Sequence, residues 1–362
     1  MMNFLSWSKN KEIESETPRP NLSLEILEAM RESVLIVNPE LRIIALNSAA
    51  YKSFARNNGE LENRRLTEVI RDLDLHKAFL NTLETDVASD VKIEILGNER
   101  RQYNVHIEPI SLGAAKGAIG FFYDVTKVKH LENVRQEFLS NISHELRTPL
   151  TSIIAFVETL EDGAIDDSKN NLRFLGVIRK NAERMHRLID DISELSLIES
   201  GRIRVEIIQK HPSPLVEEIF TNLSAKANER RIELINEIAE DITVFADAVR
   251  LEQMLTNLID NAIKFNREGG SVSVSHTRKE ASDLITVADA GEGISNEHLQ
   301  RIFERFYRTD RARSREIGGT GLGLAIVKHL SRLHGGEVSV ASTLGKGTAF
   351  TIELPRKSQI SA

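Results

Sequence analysis

The stretch LEQMLTNLIDNAIKFN, residues 251–266, puts two kinds of side chain on one helix. Leu255, Leu258, Ile259, Ala262 and Phe265 recur at steps of three and four, as an apolar face does when it packs on a core. Asn257, Asn261 and Lys264 keep the same steps on an adjoining face. Amides in a core-seeking helix must find partners, because each one left unsatisfied costs about 1–3 kcal/mol. Taken alone, the stretch suits structural hydrogen bonders as well as it suits ligands.

Glycine clusters downstream turn the reading toward a ligand. DAGEGI (289–294) follows a strand, and its glycines, Gly291 and Gly293, permit a tight turn that brings backbone close to a bound molecule. Asp289 aims a carboxylate into the same space, where it can accept from an exocyclic amine such as that of adenine. GGTGLGLAIVKHL (318–330) opens a helix with a run of backbone N–H groups, an anion site suited to phosphates. GKGTAF (345–350) is a further glycine turn leading into a strand. The usual nucleotide templates fail. Gly347 follows Gly345-Lys346 where a P-loop needs Ser or Thr, and Gly319, Gly321 and Gly323 step by two, unlike the dinucleotide fingerprint. Protein-kinase signatures are absent as well.

Upstream, FLSNISHELRTPL (138–150) sits in an apolar stripe running through Val128, Leu131, Val134, Phe138, Ile142 and Leu146. DGAIDDS (162–168) breaks the pattern, and a second stripe runs from Leu172 to Leu195, with Gly201 closing the helix. Two such helices joined by a short loop cannot bury both stripes alone, and pairing with a second copy into a four-helix bundle is the expected solution. Thr148 lies four residues after His144, on the same face, with a hydroxyl able to position a water. Pro149 removes the amide that would bond the Glu145 carbonyl, so the helix is weakened beside His144. A zinc-protease reading of HELRT fails for want of the second histidine.

Residues 21–126 read as a small α+β unit: a helix, strands SVLIVN and RIIALN, further helices, then SDVKIEIL, RQYNVHIEPI and GAIGFFYDV. Residues 202–357 alternate strands (RIRVEII, RIELINEI, SVSVSHT, LITVAD, GEVSVAS, TAFTIELP) with helices. Residues 1–20 and 358–362 are expected to be tails, leaving a hairpin domain at 127–201 between the two α/β parts. With 362 residues the chain has room for several cores. A formal charge of −7 argues against a nucleic-acid groove, and the lack of cysteine excludes disulfides, thiolate metal sites and a cysteine nucleophile. No run of roughly 20 apolar residues predicts direct membrane insertion.

Together these stretches resemble the sensor histidine kinases. Asn257-Leu-Ile-Asp-Asn261-Ala-Ile-Lys264 is similar to the N box, Asp289-Ala-Gly291-Glu-Gly293 to the G1 box and Ile302-Phe303-Glu-Arg-Phe306 to the F box. Gly319-Thr320-Gly321-Leu322-Gly323 is similar to the G2 box, Gly345-Lys-Gly347-Thr348 to a third glycine box, and His144-Glu145-Leu-Arg-Thr148-Pro149 to the H box. The resemblance covers about 128–356, and the N-terminal unit resembles a PAS domain. Among subgroups it looks nearest to the phosphate-regulon sensor kinases, without their membrane segments. The fold implied is multidomain α+β: a PAS-like domain, an antiparallel helical hairpin forming a dimeric four-helix bundle, and an α/β sandwich of the GHKL type that binds ATP.

The resemblance implies roles as well. His144 would be the phosphoryl acceptor, since a neutral imidazole is a competent nucleophile. Glu145 would hydrogen-bond its ring, although neighbours i and i+1 do not share a helix face. Thr148 would serve dephosphorylation of the partner. Asn261 would hold the Mg²⁺ that bridges the ATP phosphates, with Asn257 and Lys264 on the phosphates, Asp289 on adenine and Arg308 at the γ-phosphate. The polar run TDRARSREI, 309–317, would be a lid. The phosphoryl group would pass to an aspartate of a separate response regulator, since this chain shows no receiver domain, and a cytoplasmic homodimer is expected. Two other readings are a hydrolytic GHKL-type ATPase and a non-catalytic scaffold of PAS unit and helices. The first would need a glutamate four residues before the metal-binding asparagine, where Asn257 stands; the second would need degraded boxes.

Overall fold

The computed structural model describes residues 22–55, 60–96, 100–112, 115–309 and 319–356. The expected tails and the lid run beyond Thr309 lie outside them. The chain divides into two compact units, one up to Gln136 and one from Glu137.

In the first unit, α1 (Leu22–Ala29) precedes the hairpin β1 (Ser33–Val37) and β2 (Ile43–Leu46), then α2 (Ser48–Phe54), α3 (Leu66–Val69) and α4 (Leu73–Thr85). The long strands β3 (Ser89–Leu96), β4 (Arg100–Leu112) and β5 (Ala115–Asp124) follow. They form one antiparallel sheet ordered β2-β1-β5-β4-β3, with β1 paired to β5 from Ser33–Phe122 to Val37–Ala118. Alternation sends Tyr103, Val105 and Ile107 of β4 inward. There Phe54, Tyr103 and Phe122 pack edge-on or tilted, with ring centroids 5.0–6.2 Å apart. Asn47 is fully buried yet satisfied. Its Oδ1 accepts from Val34 N and Ala50 N, and its Nδ2 donates to the Leu27 and Glu32 carbonyls.

Helix α5 (Thr126–Glu161) begins in the first unit and continues in the second without ending at Pro149. Gly163, at φ 106°, and a 3₁₀ turn at Ala164–Asp166 lead into α6 (Asn171–Glu199). Gly201, at φ 67°, closes α6, and the Arg202 amide returns to the Leu197 carbonyl. One side of this hairpin joins the core through Phe138, Ile142, Leu188, Ile192 and Leu195. The opposite side leaves Leu139, Leu150, Ile154, Leu172, Leu175, Ile189 and Leu197 between 45% and 75% exposed, so that stripe has no cover among the described residues.

The rest of the second unit runs through β6 (Ile208–Lys210), α7 (Pro212–Glu229), β7 (Glu233–Asn236), β8 (Val244–Ala246), α8 (Ala248–Lys264), β9 (Ser271–Arg278) and β10 (Ser282–Asp289). A short α9 (Asn296–Leu299), then α10 (Gly323–Leu333), β11 (Glu337–Thr343) and β12 (Gly347–Pro355) complete it. The sheet order is β11-β12-β10-β9-β7, with β7 parallel to β9, and β6 pairs β8 separately. Leu251, Met254, Leu255, Leu258 and Ile259 of α8 are fully buried, as the apolar spacing requires. Of the run RIRVEII, only its last residue, Ile208, belongs to a strand, because the Glu206 amide turns to the Asp247 carboxylate instead of a neighbouring strand. Among the described residues, no helix is long and apolar enough to cross a membrane.

Candidate functional site

The capped helix α8 builds one wall of the site. Asp247 accepts from Arg250 N at 3.1 Å to start it, and its buried apolar face sets the opposite side chains. Asn257, Asn261 and Lys264 line a cavity of about 280 Å³ together with Asp289, Thr320 and Thr348. Asp260 lines it as well, with Lys264 Nζ at 2.5 Å and Lys226 Nζ at 3.0 Å. Burial works against its charge, yet the two lysines hold the Asp260 carboxyl below the ordinary aspartate range.

The glycine turns close the other walls. Asp289 ends β10, and its Oδ1 accepts from Gly291 N at 2.8 Å and Thr348 N at 3.3 Å. Burial pushes its carboxyl up, against those two amides. Gly291 is buried behind the turn, where a side chain would run into the Phe265 carbonyl. Gly293 and Gly319 lie on the cavity wall. Gly321, at φ 76°, passes so close to Phe306 that a Cβ would stand 2.9 Å from its Cα. Gly323 starts α10 against the Asn257 amide, and no side chain caps that helix. Its first N–H groups are therefore available to an anion. Leu322 is fully buried and its side chain belongs to the core.

His144 is exposed on α5 and does not line the cavity. Thr148 Oγ1 donates back to the His144 carbonyl at 3.2 Å. Glu145 turns toward the cavity side: its Oε2 accepts from Arg184 Nη2 at 2.8 Å and Arg308 Nη2 at 3.3 Å. Arg308 lines the cavity and also donates to the Gly319 carbonyl. Phe306, at φ 60°, packs on Phe138 of α5 with centroids 5.8 Å apart, and Arg305 covers the same ring at 5.1 Å.

The donor set suits a hard cation shared with a ligand. Among the described residues no cluster of three His, Cys, Asp or Glu could hold a metal unaided. Asn257, Asn261 and Asp260, which carry amide and carboxylate oxygens, line the cavity all the same. Mg²⁺ fits such a wall, since it usually takes few protein ligands and completes its shell with water and phosphates.

Three known families match this chain in sequence. The PAS fold matches residues 27–130, the His Kinase A (phospho-acceptor) domain matches 134–201, and the histidine kinase-, DNA gyrase B-, and HSP90-like ATPase matches 246–358. The chain thus carries these three domains in this order, and its relatives are sensor histidine kinases. Sensor histidine kinase WalK of Bacillus subtilis is 33% identical over 344 residues, which are 92% of this chain and 55% of that protein. Sensor protein SrrB of Staphylococcus aureus is 28% identical over 98% of this chain and 59% of its own length. The chain spans little more than half the length of these curated relatives. Among solved structures, histidine kinase ThkA, crystallised with response regulator protein TrrA, shares the fold at TM-score 0.52 and 22% identity, covering 93% of this chain and 99% of its own. Acinetobacter baumannii histidine kinase AdeS aligns at TM-score 0.50 and 25% identity over 59% of this chain and 98% of its own.

The structure adds residues to the candidate site that the sequence reading did not single out. Arg187 and Asp191 line the cavity from α6, and Arg184 holds Glu145. Their spacing of three and four residues puts them on one helix face, but in sequence that face reads only as a charged flank of the apolar stripe.

Proposed function

We propose that the chain is an ATP-dependent protein-histidine kinase that phosphorylates His144 and then passes the phosphoryl group to an aspartate of a response regulator. One observation carries the reading: Arg308 lines the cavity of Asn257, Asn261, Lys264 and the glycine loop while it holds Glu145, the neighbour of the exposed His144.

In this reading Asp289, with Oδ1 committed to backbone amides, offers its other oxygen to the adenine amine. Asn257, Lys264 and the amides from Gly319 to Gly323 hold the phosphates, with Thr320 and Thr348 on the wall. Asn261 would hold Mg²⁺, which when bound neutralises charge on the phosphates. An imidazole nitrogen of His144 attacks the γ-phosphorus, the bond to the β-γ bridging oxygen breaks, and ADP leaves with that electron pair. Glu145 must let go of Arg308 to face the imidazole, and Arg308 then turns to the charge on the transferring group. Thr148, once rotated off the His144 carbonyl, can hold a water for the reverse task of dephosphorylating the regulator. The exposed stripe of Leu139, Leu150, Ile154, Leu172 and Leu175 would be buried by a second copy, giving a homodimeric four-helix bundle. A kinase that consumes ATP is proposed to work in the cytoplasm.

The test is incubation with γ-labelled ATP and Mg²⁺ beside His144→Ala and Asn261→Ala. Acid-labile, base-stable label that both substitutions abolish is the expected result. ATP hydrolysis that survives His144→Ala without any label would instead assign the chain to the hydrolytic ATPases.

A further inference from the structure

Asp191 belongs to the phosphoacceptor hairpin, yet its side chain lines the cavity assigned to the nucleotide. Its Oδ2 accepts from Thr320 Oγ1 at 2.6 Å, inside the glycine loop. The same hydroxyl oxygen lies 3.3 Å from the Leu322 amide, so Thr320 links the Asp191 carboxylate to the uncapped start of α10. Burial pushes the Asp191 carboxyl up against the Thr320 bond, and the nearby Glu194 and Asp190 add to the rise.

Two further acidic residues of α6 hold the helix in this place. Glu194 Oε1 meets Arg250 Nη1 at 2.6 Å and also binds Gln253 of α8. Glu199 pairs with Arg305 and lies 3.5 Å from His329 Nε2 of α10. The apolar residues between them, Leu195 and Ile198, are buried in the same core as α8 and α10. The contact is thus a continuous packed strip whose N-terminal end is a carboxylate seated on a phosphate-type loop.

A carboxylate and a polyphosphate do not share such a place. Like charges a few ångströms apart in a partly buried site repel strongly, and the carboxylate cannot be moved to water without disturbing the strip. Resting on the assignment of the cavity to ATP, we propose that Asp191 is a built-in competitor of the nucleotide phosphates. In the arrangement seen here α6 holds the glycine loop through Asp191. Entry of the phosphates displaces that carboxylate, so nucleotide binding and the release of α6 from the loop are one coupled event. The free nucleotide then sees an affinity lowered by the fraction of chains in which Asp191 is seated.

The substitution Asp191→Asn keeps a hydrogen-bond acceptor for Thr320 and removes the charge, while Asp191→Ala removes both. Binding of ADP with Mg²⁺ and of adenosine alone is measured by calorimetry for the full chain and both variants. The expected result is ADP binding tighter by about threefold or more in both variants, with adenosine unchanged within about twofold, because only phosphates compete. In the unsubstituted chain, saturating ADP with Mg²⁺ should also speed hydrogen exchange of backbone amides in 188–199. ADP affinity that is unchanged or weaker in the variants overturns the competitor and makes Asp191 a neighbour or ally of the bound nucleotide. Unchanged exchange overturns the coupling. Failure of every form to bind ADP sinks the nucleotide assignment itself, and the proposal with it, an outcome distinct from the other two.

Discussion

Glu145 Oε2 and Arg308 Nη2 lie 3.3 Å apart, joining the residue beside His144 to a residue of the nucleotide cavity. Both groups are largely covered, at 19% and 7% side-chain exposure, and Arg184 completes the arrangement at 2.8 Å. One ion pair therefore occupies the base proposed for His144 and the cation proposed for the γ-phosphate at once. Under the proposed mechanism this pairing would be a resting state, in which neither group is placed for transfer.

Glu145→Gln is expected to slow autophosphorylation by about 10²-fold or more, the usual scale for loss of a positioned acid–base group. Its affinity for ATP should stay within about twofold, since Glu145 does not line the cavity. Initial rates at saturating ATP, beside direct binding measurements, separate the two effects. A variant that labels at the normal rate would remove Glu145 from the chemistry.

Asp289→Asn should discriminate adenine from guanine less well. The amide retains an oxygen for the Gly291 and Thr348 amides but loses the charged acceptor, so ATP affinity should fall by about 10- to 100-fold, or about 1–3 kcal/mol. GTP, which lacks the amine at that position, should be affected much less. Competition binding with the two nucleotides reads the ratio, and an equal loss for both would mean that Asp289 only shapes the turn.

Much of this architecture was legible because local rules and tertiary needs agree. The α8 stripe of Leu255, Leu258 and Ile259 is buried as its spacing predicts, and Gly201 closes α6 where the apolar pattern stops. The alternating strands of the first unit run where their pattern puts them. Other features depend on partners distant in sequence. RIRVEII alternates like a strand, but the Asp247 carboxylate, 41 residues beyond Glu206, takes the amide a neighbouring strand would have used. Asp191 and Arg184 stand in a charged helix flank, and only the fold brings them to Thr320 and Glu145. The Glu145 side chain faces two arginines rather than the His144 ring, a choice that no spacing within the H box encodes.

Asn47→Ala should destabilise the first unit by about 2 kcal/mol or more. The side chain is fully buried and serves the Val34 and Ala50 amides and the Leu27 and Glu32 carbonyls. Truncation strands several of these groups away from water, each at about 1–3 kcal/mol before relaxation. Chemical denaturation followed by the aromatic signal of that unit measures the loss, and a shift below about 0.5 kcal/mol would show that water replaces the amide.

His334 gives the second unit a definite pH dependence. It is buried at the end of α10, donating from Nδ1 to the Leu330 carbonyl at 2.8 Å and accepting at Nε2 from the Asp247 amide at 3.1 Å. Burial lowers its pKa, against the Leu330 carbonyl and the Asp247 charge. The unfolded chain then holds this proton more tightly than the folded one. Stability contributed here is complete above the unfolded pKa of about 6.5 and is lost as the pH falls from there toward the lower folded value, by at most about 1.4 kcal/mol per pH unit. Asp191 and Asp289, whose carboxyls are raised, titrate with the opposite sign, so the test is a difference. His334→Gln removes the titration, and the gap in unfolding free energy between the two proteins should shrink steadily from pH 7 to pH 5. A gap that stays constant over that range would mean that His334 keeps an ordinary pKa and that the Asp247 amide tolerates a protonated ring.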